Sequence, residues 1–319
     1  MRLCGTWLAS FFLLTQWTYA AEPLLRPQDR VVLLGGTLIE REQVEGYWES
    51  PLTLAVDFPV SFRNLGWSGD TVWCESRGMF DPPAAGYARM LEQIQQINPT
   101  LILLGYGNSE AFDGPEKLDA FREQYRKLLA DLAGPKRRFV LLSPTYMEAS
   151  SVPGIDRQST AAHAQRYNAN IDLYAAVIQE LARDGAASWI DLRPAFSASA
   201  GSTPLTDNGI TLNAQGYWVT GRYLSLALAG RQLSIEQLPP PPITTVSGRE
   251  PGENASVREQ LRSVIRDKNE LLFHRWRPQN FTYLFGFRKH EQGNNAVEIP
   301  QFDPIVTELE SKIQSMKPQ

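Results

Sequence analysis

Histidine and cysteine are the side chains this chain nearly lacks. Only His163, His274 and His290, and only Cys4 and Cys74, occur in 319 residues. The three histidines are far apart, and no Cys or Asp cluster accompanies them, so no metal site is expected and no cofactor is implied. Any reaction that needs a base near neutral pH has few candidates to supply it. Cys4 falls in the N-terminal segment described next, which leaves Cys74 without an internal partner. A buried structural thiol is expected there, not a nucleophile. Long basic runs are also missing and the net charge is −4, so nucleic acid is disfavoured as a partner. Long apolar runs are missing too. The first, Leu8 to Leu14, is too short to cross a bilayer. With Arg2 before it and Thr18-Tyr19-Ala20 after it, residues 1–20 read as a signal peptide. The expectation is export to the periplasm or cell exterior, with no membrane span in the mature chain.

What is present fits a globular α/β protein. Apolar residues make up 43% and charged residues 21%, enough for a real core. Five short apolar runs end in turn-forming residues: Val31 to Leu34, Val60 to Leu65, Leu101 to Leu104, Phe139 to Leu142 and Ser188 to Leu192. Continuous apolar runs of this length suit strands covered on both faces. Helical patterns separate or follow them at Glu40 to Asp57, Ala84 to Ile97, Pro115 to Ala133, Thr160 to Arg183 and Ala214 to Ala229. Strand and helix in alternation predict a parallel, doubly wound sheet, with any ligand site beyond the C-terminal strand ends. Leu238 to Pro242 and the polar stretch to Glu253 read as a linker. Val257 to Phe273 reads as an amphipathic helix and roughly Pro304 to Ser315 as a second. The expected organisation is therefore a leader at 1–20, a main domain at 22–232, a Pro-rich linker at 233–256, and a C-terminal strap with helices at 257–319.

Four loops carry the chemical signal, each at a predicted strand end or before the last main-domain helix. They are Leu34-Gly35-Gly36-Thr37-Leu38-Ile39, Asn64-Leu65-Gly66-Trp67-Ser68-Gly69-Asp70-Thr71, Gly105-Tyr106-Gly107-Asn108-Ser109-Glu110 and Asp207-Asn208-Gly209-Ile210-Thr211-Leu212-Asn213. In this order they resemble the SGNH (GDSL-type) hydrolase family, over nearly all of residues 30–230. Arg41, the Trp67 to Thr71 string and the segments Arg275 to Asn280 and Gly286 to Gly293 resemble a secreted bacterial subgroup of it. The resemblance implies a three-layer, flavodoxin-like α/β/α fold with a five-stranded parallel sheet and, in this chain, a C-terminal helical extension. It also implies ester hydrolysis, often on acylated carbohydrates or lipids, by a serine nucleophile, a histidine base and a Gly/Asn oxyanion hole.

Carried over residue by residue, the resemblance puts Thr37 at the nucleophile position, with Gly36 where the family has aspartate. Gly69 and Asn108, or Ser109 in the other register, take the oxyanion positions. Asp207 or Asn208 takes the acid position, and Thr211 stands where the histidine belongs. Gly36, Asp70, Glu110 and His290 are the candidate substrate contacts. Each position also has a structural reading. Thr37 is a suitable cap for a helix starting near Glu40. Asn108 and Asp207 suit turns, and Thr211 fills space. His290 is either part of a polar strap rich in Arg275, Arg277, Arg288 and Lys289, or a substitute base brought to the pocket. Two functions remain open at this level. One is an ester hydrolase working through Thr37 with a base from elsewhere. The other is a silent member that keeps its cleft for a small molecule or glycan, with the strap as a possible surface for a protein partner.

Overall fold

A computed structural model describes residues 23–149, 157–198, 203–241 and 256–317. The proposed leader and most of the linker lie outside the described residues. Five strands form one fully parallel sheet: β1 (Asp29–Gly35), β2 (Val60–Asn64), β3 (Leu101–Gly105), β4 (Arg138–Leu142) and β5 (Ser188–Ile190), in the order β2-β1-β3-β4-β5. All five coincide with the apolar runs. Alternate residues of one strand enter opposite layers, as the two-residue period of a strand requires. Val31 and Leu33 face one core cluster, and Val32 and Leu34 face the other.

The helices divide between these two faces. The first connection contains three short helices, α1 (Thr37–Glu40), α2 (Glu42–Glu45) and α3 (Glu49–Ala55). One helix was expected there. The chain breaks at Gly46, which caps α2 in a left-handed conformation with φ of 69°. The Glu42 carboxylate then accepts the N–H groups of Trp48 (2.7 Å) and Glu49 (3.1 Å), restarting the helix in a new direction. Next come α4 (Pro83–Ile97), α5 (Leu118–Leu132), α6 (Arg157–Asp184), α7 (Arg193–Ala198) and α8 (Ala214–Ala229). The apolar faces of α4, α5 and α6 fill one layer through Met90, Ile94, Phe121, Leu128, Ile171 and Ile178. The opposite layer takes Leu52 of α3 and Tyr217, Leu224 and Leu228 of α8.

After the linker, α9 (Val257–Trp276), α10 (Phe281–Leu284), α11 (Lys289–Gln292) and α12 (Phe302–Ser315) complete the described chain. Leu261, Val264 and Ile265 of α9 and Ile313 of α12 belong to the same core cluster as β1. A buried ion pair between Lys268 and Glu49 locks α9 to α3. The molecule is thus a three-layer α/β/α fold with a C-terminal helical region. Because β1 lies between β2 and β3, the chain reverses its direction of winding there. A crevice opens beyond the carboxyl ends of β1 and β3, the usual ligand position in open parallel sheets.

Candidate functional site

All four loops meet at that crevice. Gly36, Thr37 and Leu38 follow β1, Asp70 lies in the loop after β2, and Tyr106 to Glu110 follow β3. Together with Thr145, Phe112 and the segment Ile210 to Leu212 they line a cavity of about 170 Å³. The parallel register sets Gly35 beside Gly105, so the first and third loops leave the sheet side by side.

Thr37 lies at the start of α1, with Gly36 as the N-cap residue and no side-chain cap hydrogen bond. The cap role expected of Thr37 is therefore not what the structure shows. Its Oγ1 instead accepts the Gly69 N–H at 2.9 Å. Gly69 has a left-handed φ of 71° that directs this N–H inward. Gly36 is fixed by space: a Cβ there would stand 2.8 Å from the Asp70 backbone oxygen. An aspartate at that position does not fit this backbone.

The charged groups near the cavity face the protein rather than the opening. Asp70 is buried and pairs with Arg77 Nε at 2.6 Å. Burial raises its carboxyl above the ordinary range, against the pull of Arg77. Glu110 is buried as well. It accepts the N–H groups of Val72 (2.9 Å) and Gly107 (2.8 Å), tying the third loop to the second. Burial pushes its carboxyl up to about 7. Neither carboxylate is turned to meet a ligand as a surface charge would. Asn108 spends its Nδ2 on Thr145, at 3.1 Å to the carbonyl and 3.2 Å to Oγ1. Ser109, one residue on, lines the cavity beside it.

The fourth loop is a tight reversal closed by a Thr206–Leu212 bridge. Asn208 Oδ1 accepts the N–H groups of Ile210 (3.1 Å) and Thr211 (2.8 Å). Asp207 reaches Arg41 at 3.5 Å across the surface. Thr211 lines the cavity, and among the described residues no carboxylate and no histidine is paired with it. None of the three histidines lines the cavity. His163 is exposed on α6, His274 lies in a groove between α2 and α9, and His290 is 74% exposed beside Glu291. The substitute-base role considered for His290 thus has no geometry to support it. Among the described residues no group of three or more His, Cys, Asp or Glu is placed to hold a metal ion. Cys74 is buried, and burial pushes its thiol up to about 12, which disfavours the thiolate.

Two wall residues, Thr145 and Phe112, and one supporting residue behind the wall, Glu148, were not anticipated. Thr145 follows β4, and its position past a strand end was the available signal. Phe112 is 52% exposed at the mouth and packs on Tyr167 with ring centroids 4.5 Å apart. Glu148 holds the fourth loop from behind by accepting from Thr206 Oγ1 at 2.6 Å and from the Thr206 N–H at 2.9 Å. Nothing local in the sequence marks Phe112 or Glu148.

The family profile of GDSL-like lipases and acylhydrolases matches residues 43–219. The chain belongs to this family. Among solved structures with the family's fold, a catalytic mutant of an acetylxylan esterase from Geobacillus stearothermophilus superposes with a TM-score of 0.50 and 16% identity. That match covers 65% of this chain and 97% of the esterase. LAE5, an alpha/beta hydrolase enzyme from the metagenome of Lake Arreo, Spain, gives a TM-score of 0.50 at 15% identity, over 66% of this chain and 99% of its own. A gut microbial diltiazem-metabolizing enzyme aligns at a TM-score of 0.48 and 16% identity over 65% of this chain, which spans about half (48%) of that longer protein. Likeness at this identity speaks to the fold alone. A search of curated proteins returned no match. The match includes the second, third and fourth loops, and the first lies just before it.

Proposed function

We propose that this protein is a member of the GDSL-like family that keeps its cleft for binding a neutral, acyl-bearing small molecule or glycan and has lost triad-driven ester hydrolysis. One observation carries the reading. The Thr37 hydroxyl rests on the Gly69 N–H, and no histidine lines the cavity that holds it. An alkoxide nucleophile needs a general base within hydrogen-bond reach, and Thr211 has no basic atom to offer. The lining supports a neutral ligand. Hydroxyls of Thr37, Ser109, Thr145 and Thr211 stand with the apolar surfaces of Leu38, Phe112 and Ile210. The 1–20 segment supports export, with the cleft working in the periplasm or outside the cell.

Two assays on purified full-length protein decide between binding and turnover. Calorimetric titration with acetylated xylo-oligosaccharides is expected to show binding that Phe112→Ala weakens. Hydrolysis of p-nitrophenyl acetate is expected to be unaffected by Thr37→Ala. A Thr37-dependent esterase activity would sink the binding-only reading in favour of an active hydrolase. Mass spectrometry of protein recovered from the native cell envelope is expected to find the chain starting after Ala20.

A further inference from the structure

No described residue of the C-terminal region lines the cleft, yet the region touches the loop that aims the cleft's backbone donor. At the end of α9 the Arg277 guanidinium lies over the Trp67 ring, 3.8 Å from its centroid. The same group pairs with Glu40 Oε2 at 3.1 Å. That oxygen also accepts the N–H of Ser68. Ser68 precedes Gly69, whose N–H donates to Thr37 Oγ1. Four consecutive contacts therefore connect the strap to the nucleophile position: Arg277 to Glu40, Glu40 to Ser68, Ser68 to Gly69 along the chain, and Gly69 to Thr37.

The base of this chain of contacts is firm. Besides the Lys268–Glu49 pair, Asn269 Nδ2 donates to Glu49 Oε2 at 3.2 Å and Arg262 Nη1 to the Glu45 carbonyl at 2.6 Å. At its far end the Trp67 N–H donates to the Gly35 carbonyl (3.0 Å) and the Asp70 N–H to the Trp67 carbonyl (3.0 Å), which fixes the edges of the loop but not its middle. Ser68 and Gly69 are exposed. An exposed loop of this kind opens locally at low cost unless specific contacts hold it. Arginine is suited to the task because one planar group stacks on an aromatic face and forks to a carboxylate at once, which lysine cannot do.

We propose that Arg277 is a positioning residue for the cleft: through Trp67 and Glu40 it sets the loop at 67–70 and so the direction of the Gly69 N–H. The proposal rests on the reading of the Thr37 cleft as the ligand site, but its main test does not.

That test is amide hydrogen exchange by NMR on the full ¹⁵N-labelled chain. Ser68 and Gly69 are followed beside Leu103 in β3 and Leu272 in α9. Arg277→Ala is expected to speed exchange at Ser68 and Gly69 by about tenfold while Leu103 and Leu272 stay unchanged. Arg277→Lys is expected to fall between, since it keeps the cation and loses the stacked plane. Glu40→Gln is expected to act mainly on Ser68. Unchanged exchange at both loop amides in Arg277→Ala would overturn the proposal. So would an equal rise at Leu272, because Arg277 would then only peg α9. If the alanine variant does not fold, the lysine variant decides by the same criteria. In a second arm, affinity for acetylated xylo-oligosaccharide is expected to fall in step with the loss of protection at Gly69. If the wild type binds no such probe, the functional reading fails, and the exchange arm still decides how Gly69 is placed.

Discussion

The Thr37 hydroxyl accepts the Gly69 N–H, and the residue before it is held by tight packing. The neighbouring Gly36 has the Asp70 backbone oxygen 2.8 Å from where a Cβ would stand. Gly36→Asp is therefore expected to destabilise the fold by about 1–3 kcal/mol, the usual cost of overpacking a tight site. Urea unfolding checks this, and an unchanged midpoint would mean that the backbone yields more easily than its packing suggests. Glu110 makes a second residue-scale prediction. Burial raises its carboxyl from 4.5 to about 7, against the backbone N–H groups at Glu110, Val72 and Gly107. The folded protein then holds a proton that the unfolded chain releases in this window. Stability from this group is full below about pH 4.5 and is lost as pH rises through about 7. The whole shift corresponds to about 3 kcal/mol. Glu42, Glu49 and Asp70 are also raised by burial, so the Glu110 share is read as the difference from Glu110→Gln. The variant is expected to lose less stability than wild type between about pH 5 and 8. Parallel pH profiles would put the titration elsewhere. That the four loops would meet at one cavity was legible in sequence, because each is a contiguous string at or near a strand end. The inward turn of Asp70 was not, since its partner Arg77 is brought to it by the short helical turn at Glu75–Gly78.

Elements were easier to read where one periodicity governs them. β1, β3 and β4 each contain a continuous apolar run, β2 buries only alternate positions, and α4 and α8 begin and end close to their sequence patterns. The first connection misled because the helix-like pattern from Glu40 to Asp57 conceals the Gly46 break and the Glu42 contacts that re-aim the chain. The buried contact of α9 with α3 was also hidden, because Lys268 and Glu49 are 219 residues apart in sequence. That contact is the strongest handle on the element. Lys268 is 1% and Glu49 5% exposed at the side chain, and Asn269 supports the carboxylate. Burial raises the Glu49 carboxyl while Lys268 draws it down. Lys268→Ala leaves that carboxylate buried without its cation and is expected to cost about 3–5 kcal/mol. Lys268→Met with Glu49→Gln removes both charges and is expected to recover a large part of it. Urea midpoints of the single and double variants measure this. A single variant as stable as wild type would mean that water or a shift of α9 relieves the charge.

On the scale of the whole molecule, the family fold and the C-terminal region share one cluster of buried residues. The Lake Arreo hydrolase is covered over 99% of its length by 66% of this chain, so the fold closes elsewhere without such an extension. Here the extension supplies part of the core layer on one face of the sheet. Leu261, Val264, Ile265 and Ile313 are all less than 7% exposed and share a cluster with Val31, Leu33, Phe62 and Leu224. A buried side chain of this type contributes about 1.5–3 kcal/mol, so losing four costs about 6–12 kcal/mol. A domain of ordinary stability has only about 5–15 kcal/mol in total. A chain ending at Pro241 would also leave Glu49 buried without Lys268. Such a truncated protein is therefore expected to lack a cooperative thermal transition and to aggregate. Circular dichroism melting and gel filtration test this directly. A truncated chain that stayed monomeric and melted within a few degrees of the full protein would show that the extension covers a finished core. The strap would then be an attachment, and its reach to Trp67 a surface contact with no claim on the cleft.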